Sequence, residues 1–396
     1  MNNPDILISG ASVAGPALAY WLDRYGFNVT VVELASGPLL GGQAIDVRGP
    51  ALEVAERMGV LQEIRDASVD MRGMSMVDGE GNELYRSEEH TITGGDLASP
   101  DVELLRDDLA GILTRAAGDG VEYLYGDSIA AIAQDEDGVQ VTFRGGSSRR
   151  FDLVVGADGL HSNTRRLVFG PEEDFITHLG TYLGVWTAPN HLDLDRWQIF
   201  HQVADSDWGG GVMAVRGNTE VRVYLGFQTE EPLEYDYRDV AEQKRIMASR
   251  FDGRSGWEIP RLIEYMWNAP DFHFDEMAQI HLDSWSRGRV ALLGDAGYCG
   301  SPLSGQGTSM AMVGAYVLAG ELKAAGGDHV KAFAAYEAEL REYVAANQQL
   351  ALTNQARVEA QTAAEMGDAE EAEHAAAEHD FSDFGEAGGA IAVKDY

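Results

Sequence analysis

The sequence predicts an α/β fold: a parallel sheet of Rossmann type, interleaved with a separate β-rich domain and followed by a C-terminal helix. Three observations carry this expectation. A buried strand, a glycine turn, a helix and a second strand follow one another over residues 6–33, the order of a βαβ unit. Buried-strand patterns return at 151–155 and 289–293. Between them, over residues 175–227, short apolar runs separated by glycine call for a sheet of their own.

Taken in order, residues 6–9 form an apolar run suited to a central parallel strand. Gly10-Ala11-Ser12-Val13-Ala14-Gly15-Pro16 turns tightly, and Ala17, Leu18, Trp21 and Leu22 then recur at helical spacing up to a stop at Gly26. Residues 27–32 make the next strand, closing at Glu33, and the right-handed crossover sets the two strands parallel. A helix is expected over 104–117, with strands at 121–125, 139–143 and 151–155. The β-rich segment holds Tyr182, Val185, Trp186, Ile199, Phe200, Met213, Val215, Val223, Tyr224 and Phe227. Residues 307–322 read as a long helix, and an alanine-rich helix follows to about residue 364. Between Gly367 and Glu386 stand eight acidic residues and no Lys or Arg, which predicts a solvated, flexible tail.

Composition narrows the function. The 396 residues are 45% hydrophobic and 24% charged, enough for large cores. Sixty-five acids against 29 bases give a formal charge of −36, a surface that repels nucleic acid and anionic lipid. Only four lysines occur, a pattern that fits either a high-salt host or genome base composition. Cys299 is the single cysteine, which excludes a disulfide framework and suits a reducing cytoplasm. The apolar run after Met1 is too short for a signal peptide, and none approaches the roughly 20 residues of a membrane span. No metal centre is expected, because His273 and His281 match neither a metal site nor a nucleophile triad.

Three glycine-rich segments carry the chemistry. In the first, Gly10 permits the turn, Ser12 stands where a second glycine is usual, and Gly15 lets the helix pack on the strand. The helix start offers N–H groups to a pyrophosphate, and Glu33 suits ribose hydroxyls. The second is Gly156-Ala157-Asp158-Gly159 with Ser162, Arg165 and Arg166; taken alone, Asp158 reads as a helix cap. In the third, a strand ends in Gly294-Asp295, and the loop Ser301 to Thr308 leads into a helix. There Asp295 can accept from a ribityl hydroxyl, and the helix start can stabilise negative charge on a reduced ring.

Together, in this order, the segments resemble those of the FAD-dependent single-component (group A) flavoprotein monooxygenases, the aromatic hydroxylases of the p-hydroxybenzoate hydroxylase type. The compact tetracycline-inactivating branch is the nearest resemblance, because a helix and an acidic tail close this sequence. The resemblance implies an FAD-binding domain over 1–72, 102–175 and 280–322, and a substrate domain over 73–101 and 176–279. A helix over 323–365 and the acidic tail over 366–396 complete the chain.

The resemblance places Gly10, Ser12, Val13, Ala14, Gly15, Glu33 and Leu34 on the ADP half of FAD, and Asp295 on the ribityl chain. Pro302, Gly305, Gln306, Gly307 and Thr308 would lie along the isoalloxazine. Arg106 matches a helix-start arginine that contacts FAD, with a surface ion pair as the alternative. Asp46 and Arg48 would sit near the ring or the nicotinamide path, Arg48 being the one candidate catalytic side chain, and Asp158 would assist both nucleotides. The family's Gly-Asp-Ala-Ala-His is replaced here by Gly294-Asp295-Ala296-Gly297-Tyr298. For the substrate the candidates are Arg196, Gln198 and Tyr224 from the β-rich segment, with Pro302, Leu303 and Gly305 on the flavin side. His201 and Trp186 are secondary.

The implied activity uses NADPH or NADH and O2, through a C4a-hydroperoxyflavin, to hydroxylate an aromatic or polyketide-like molecule, tetracycline types included. The implied enzyme is a cytoplasmic monomer or homodimer. A flavin halogenase is disfavoured, since Gly256-Trp257-Glu258-Ile259-Pro260 lacks the first Trp of that motif. The remaining rivals are an FAD-dependent reductase acting on a C–C bond and a flavin-bound regulator without turnover.

Overall fold

The structure, a computed structural model, describes residues 3–38, 41–201, 207–365, 387 and 389–396. Its first sheet has six strands in the order Ser286–Arg287, Val290–Leu292, Leu153–Gly156, Asp5–Ser9, Asn28–Glu33 and Glu122–Tyr125. All neighbours are parallel except the Ser286–Arg287 edge. The central strands are buried on both faces, which is why residues 6–8 read as an unbroken apolar run. Helices Ala14–Arg24, Arg106–Ala117 and Gly307–Ala324 cover one face through Leu18, Leu22, Leu109, Val313 and Val317. A three-stranded meander, Ile129–Gln134, Val139–Phe143 and Ser148–Phe151, packs Val139, Val141 and Phe143 on the other, against Leu7 and Val154.

The register brings the glycine segments together. Ser9 pairs with Gly156, Gly156 with Leu292, and Ser9 with Val32, so all three segments leave the sheet at one carboxyl edge.

The second sheet has seven strands, in the order His273–Ile280, Ile176–Pro189, Glu220–Gln228, Trp208–Val215, Trp197–His201, Gly73–Val77 and Glu83–Ser87. Strand alternation gives it two different faces. Val221, Val223, Leu225 and Phe227 join a core under helices Val240–Arg250 and Ile259–Asn268. Arg222 and Tyr224 lie on the opposite face, where Tyr224 packs with Met213 and with Leu105 of the first domain. A two-stranded ribbon, Ala44–Val47 against Val102–Leu105, bridges the two bodies. Its Val47, Val102 and Leu104 enter the first core, and its Ala44 and Leu105 meet the second sheet.

Two sequence expectations differ from this fold. The helix expected over 104–117 begins at Arg106, because Leu104 and Leu105 end a ribbon strand. The single strand expected over 151–155 is two, Ser148–Phe151 and Leu153–Gly156, which serve different sheets. The helix His329–Glu365 spans both bodies, for Asn354 donates to Leu303 O at 2.8 Å and Gln355 to Leu179 O at 3.2 Å. Among the described residues no helix is long and apolar enough to cross a membrane. Of the expected tail, residues 366–386 and 388 lie outside the described residues. The last residues do not behave as a solvated tail. Tyr396 fills the space left by Gly320 and bonds Glu321 at 2.7 Å, while Arg57 donates to Lys394 O at 2.6 Å.

A Cβ on Gly10, whose φ is +108°, would collide with Ala157 O, where the two strand ends cross. Gly10→Ala is therefore expected to lower stability by on the order of 2 kcal/mol in urea unfolding. At Gly37 nothing lies within 4 Å of the new methyl. Gly37→Ala should change stability by less than about 0.5 kcal/mol.

Candidate active site

The carboxyl edge of the parallel sheet builds a cradle from backbone. A Cβ on Gly15 would overlap Gly10 O, so only glycine lets the helix start press against the turn. Helix Ala14–Arg24 opens with no acid in its first turn and no side-chain cap, leaving its first N–H groups to an anion. Glu33 is fixed beside it, accepting from Ala11 N and Ala35 N at 2.8 Å each, with lone pairs to spare. Ser12 is half-buried in the turn, Val13 and Ala14 are buried, and Leu34 is exposed beyond Glu33.

Asp158 is differently employed. Its carboxylate accepts from Ser9, Ser162 and Thr164 hydroxyls and from Thr164 N, at 2.5–3.2 Å. Three of these donors go to Oδ2 and tie the strand end to helix Asn163–Val168, while Oδ1 takes only the Ser162 hydroxyl and keeps acceptor capacity on a half-buried residue.

Further along the edge, Asp295 and Arg106 face one space. Asp295 is exposed to the cleft but walled by protein, and that confinement, with Asp275 nearby, raises its pKa. Arg106 begins its helix with a guanidinium held against Gly42, and burial lowers its pKa despite Asp107 and Asp295. Its Nε is buried and has no partner among the described residues. The surface ion pair considered for it is thus not formed by that atom. The loop opposite carries exposed Pro302, half-buried Leu303, Gly305 at φ +62°, buried Gln306 and half-buried Gly307 and Thr308. Its helix, Gly307–Ala324, also starts without an acid or a side-chain cap. A glycine cradle, two uncapped helix starts and a buried unpartnered guanidinium N–H fit FAD, which brings a pyrophosphate and a polar ring edge.

The inward face of the seven-stranded sheet closes this space. Gln198 pairs with Met213 and Met213 with Arg222, so these three stand in line, and Tyr224 is two residues on. Gln198 is fully buried; its Nε2 donates to Thr93 Oγ1 while its Oε1 has no partner. Arg222 donates to Gly42 O at 3.0 Å and to Thr187 Oγ1, beside Asp271. Tyr224 accepts from Ala44 N at 3.0 Å, and burial drives its pKa up. From the ribbon, Arg48 pairs with Asp46 at 3.0 Å and Asp101 at 3.4 Å, and its N donates to Ser309 Oγ at 3.0 Å.

Other candidates fall elsewhere. Arg196 sits on a surface turn in ion pairs with Asp70 at 2.5 Å and Asp195 at 3.8 Å, away from this face. Trp186 points into the helix-covered core. His201 is stacked between Trp208 and Trp257, and burial lowers its pKa. Arg222, Glu103 and Thr93 were not singled out by sequence. For Arg222 a signal exists, a charge at one position of the apolar run Val221 to Leu225.

His161 links the two bodies. Its Nδ1 meets Glu172 at 2.8 Å and its Nε2 meets Asp275 at 3.0 Å, with Tyr237 stacked at 4.2 Å. Burial opposes its charge, but the two carboxylates prevail and raise its pKa from 6.5 to about 10. Half-buried His273 moves the other way, to about 4, through loss of solvent around its ring and the nearby Arg106.

Comparison with known proteins agrees with this geometry. A family model described as an FAD binding domain matches residues 3–351. An uncharacterized protein of Mycobacterium tuberculosis is 56% identical over 349 residues, covering 88% of this chain and 93% of its own. A flavin-dependent monooxygenase of Legionella longbeachae is 41% identical over 349 residues, covering 87% of each chain. Among solved structures, tetracycline destructase Tet(51) superposes with a TM-score of 0.87 at 34% identity over the whole of both chains. The chain belongs to this FAD-binding family, as a flavin-dependent monooxygenase of the aromatic hydroxylase type.

A histidine whose pKa is raised on folding stabilises the fold below its unfolded pKa, and that contribution fades as pH climbs through the folded value. Wild-type stability should therefore fall between pH 6.5 and about 10. His161→Gln should flatten the decline by on the order of 2 kcal/mol, read from urea midpoints across that range.

Proposed function

We propose that this chain uses NADPH or NADH and O2 to hydroxylate an aromatic or polyketide-like small molecule, with tetracycline-type molecules the first to test. One observation carries the reading. The fully buried Gln198, whose amide oxygen has no partner among the described residues, stands in line with Arg222, and Arg222 reaches the same Gly42 that the Arg106 guanidinium abuts, so the polar groups offered to a substrate adjoin the flavin end of the cradle. Tet(51), similar to this chain along its whole length, is a tetracycline destructase by name, which supports the choice of substrate class.

The residues that would hold FAD are the Gly10–Gly15 turn and Glu33 at the ADP half, then Asp295, Arg106 and the 302–308 loop at the ring. When bound, FAD supplies the redox chemistry that carries electrons from the pyridine nucleotide to oxygen. The protein's share is placement and exclusion of water. Met213, Phe200 and Tyr224 present apolar surface toward the ribbon, which suits a flat, partly apolar substrate. Gln198 and Arg222 give it hydrogen-bonding partners, and Arg106 would donate to the ring's polar edge or to a developing negative charge. We place the enzyme in a reducing cytoplasm, as a monomer or homodimer, on its single cysteine and acidic composition.

The purified protein should show a flavin absorption spectrum that bleaches with NADPH in the absence of oxygen and returns on admitting air. Tetracycline should then stimulate oxygen uptake in proportion to oxidised product. A colourless protein that takes up no added FAD overturns the reading, as does product formation without oxygen consumption. Arg106→Gln should weaken FAD retention by about 10- to 100-fold in equilibrium titration, the loss of a buried charge-assisted hydrogen bond.

A further inference from the structure

The ribbon that bridges the two bodies places two carboxylates opposite each other. Asp46 and Glu103 are register partners in its antiparallel ladder. Directly opposed residues on one face hold their Cβ atoms about 5 Å apart. Ala44 and Leu105, on the same face of the ribbon, pack with Met213 and Tyr224 of the second sheet, so this face looks toward the substrate side. Asp46 is 8% exposed. Its Oδ2 is held by Arg48 at 3.0 Å, whereas its Oδ1 has no partner. Glu103 is hydrogen-bonded by Thr93, and its Oε1 is likewise buried and unpartnered. Thr93 Oγ1 also receives the amide of Gln198, whose own Oε1 is the third unpartnered oxygen of the group.

Three buried acceptors with no donor among the described residues call for protons from somewhere. The charges nearby do not balance either. From the residues that flank the ribbon strands come Arg48 and Asp101, and from the sheet come Arg222 and Tyr224. Arg222 is already engaged with Asp271 and Glu220, which leaves Arg48 against Asp46, Asp101 and Glu103.

We propose that Asp46 and Glu103 share one proton at neutral pH and act together as the base that ionises the substrate's phenolic or enolic hydroxyl. This rests on the hydroxylation reading above. The O–H bond of the substrate breaks as its proton passes to Glu103 Oε1, and the proton already on the pair moves to Asp46 Oδ1. The electron pair stays on the substrate oxygen. The pair goes from one proton to two and the substrate becomes its anion, so charge and protons balance and no oxidant enters the step. The anion is the electron-rich form that accepts oxygen at carbon. Gln198 lies where its amide can orient the same hydroxyl. The carboxyl pKa values of both members are raised, for each chiefly by burial, with the partner carboxylate adding to that of Glu103 and Asp101 to that of Asp46.

The test uses FAD-loaded protein. Infrared spectra at pH 7 should show a protonated-carboxyl stretch in the wild type. Glu103→Gln should remove it, and Asp46→Asn should weaken it by removing the like charge. With tetracycline as the probe, Glu103→Gln should lower kcat by about 100-fold and abolish the acid limb of the pH profile, and Glu103→Asp should restore part of both. The absence of the band from the wild type, or its survival in both variants, overturns the shared proton. A wild-type pH profile in Glu103→Gln overturns the base. A protein that carries the band but ignores tetracycline overturns the substrate reading of the preceding section and supports the pair.

Discussion

The rest of the structure depends on one crossing of backbone. Gly10 leaves its strand at φ +108° with its α-carbon facing Ala157 O, and Gly15 brings the first helix down onto Gly10 O. Any side chain at either position would force these segments apart. Because Ser9, Gly156 and Leu292 share one register row, the same crossing fixes where the Asp158 and Asp295 segments emerge. The two lie side by side, yet they do different work. Asp158 commits Oδ2 to three protein donors, while Asp295 keeps its carboxylate in the cleft.

The substrate side proposed above comes from two elements that each have unlike faces. The second sheet turns valine and leucine toward its covering helices and turns Gln198, Met213, Arg222 and Tyr224 toward the first body. The ribbon does the same on a smaller scale, with Val102 and Leu104 inward and Glu103 across the gap. Alternation of period two therefore does more than build cores here. It sets charge and amide groups on the facing sides of sheet and ribbon while both supporting surfaces remain apolar.

Contacts of the long C-terminal helix and of His161 fasten the two bodies to each other. The helix His329–Glu365 bonds to Leu303 of the flavin-side loop and to Leu179 of the second sheet, fastening the bodies along one side. His161 fastens them on another, through carboxylates from two different segments. The final residues return to helix Gly307–Ala324, where Tyr396 occupies the gap at Gly320 and Lys394 pairs with Glu321 at 3.5 Å, and to the next helix, where Lys394 pairs with Glu339 at 2.5 Å. An acidic composition conceals this, since the docking groups at the very end are an aromatic ring, a lysine and backbone carbonyls.

Much of the parallel sheet was legible in the sequence, because glycine turns and apolar runs act within a few residues. The turn at Gly10 to Gly15, the strand end at Glu33 and the helix from Gly307 all follow from local sterics and patterning. The resemblance of three ordered segments added the cofactor. Arg196 shows where such reading stops. It stands two residues from Gln198 in the sequence, but its φ of +51° turns it into a surface ion pair while Gln198 lies on the strand's inner face. Glu103 shows the converse, for nothing in its neighbours announces that Asp46 will lie opposite. Which carboxylates meet, and which polar side chains are left without partners, depends on strand register between segments 57 residues apart. That register is decided only when the cores on both sides of the ribbon have formed, so tertiary packing alone determined which polar groups meet between the ribbon and the second sheet.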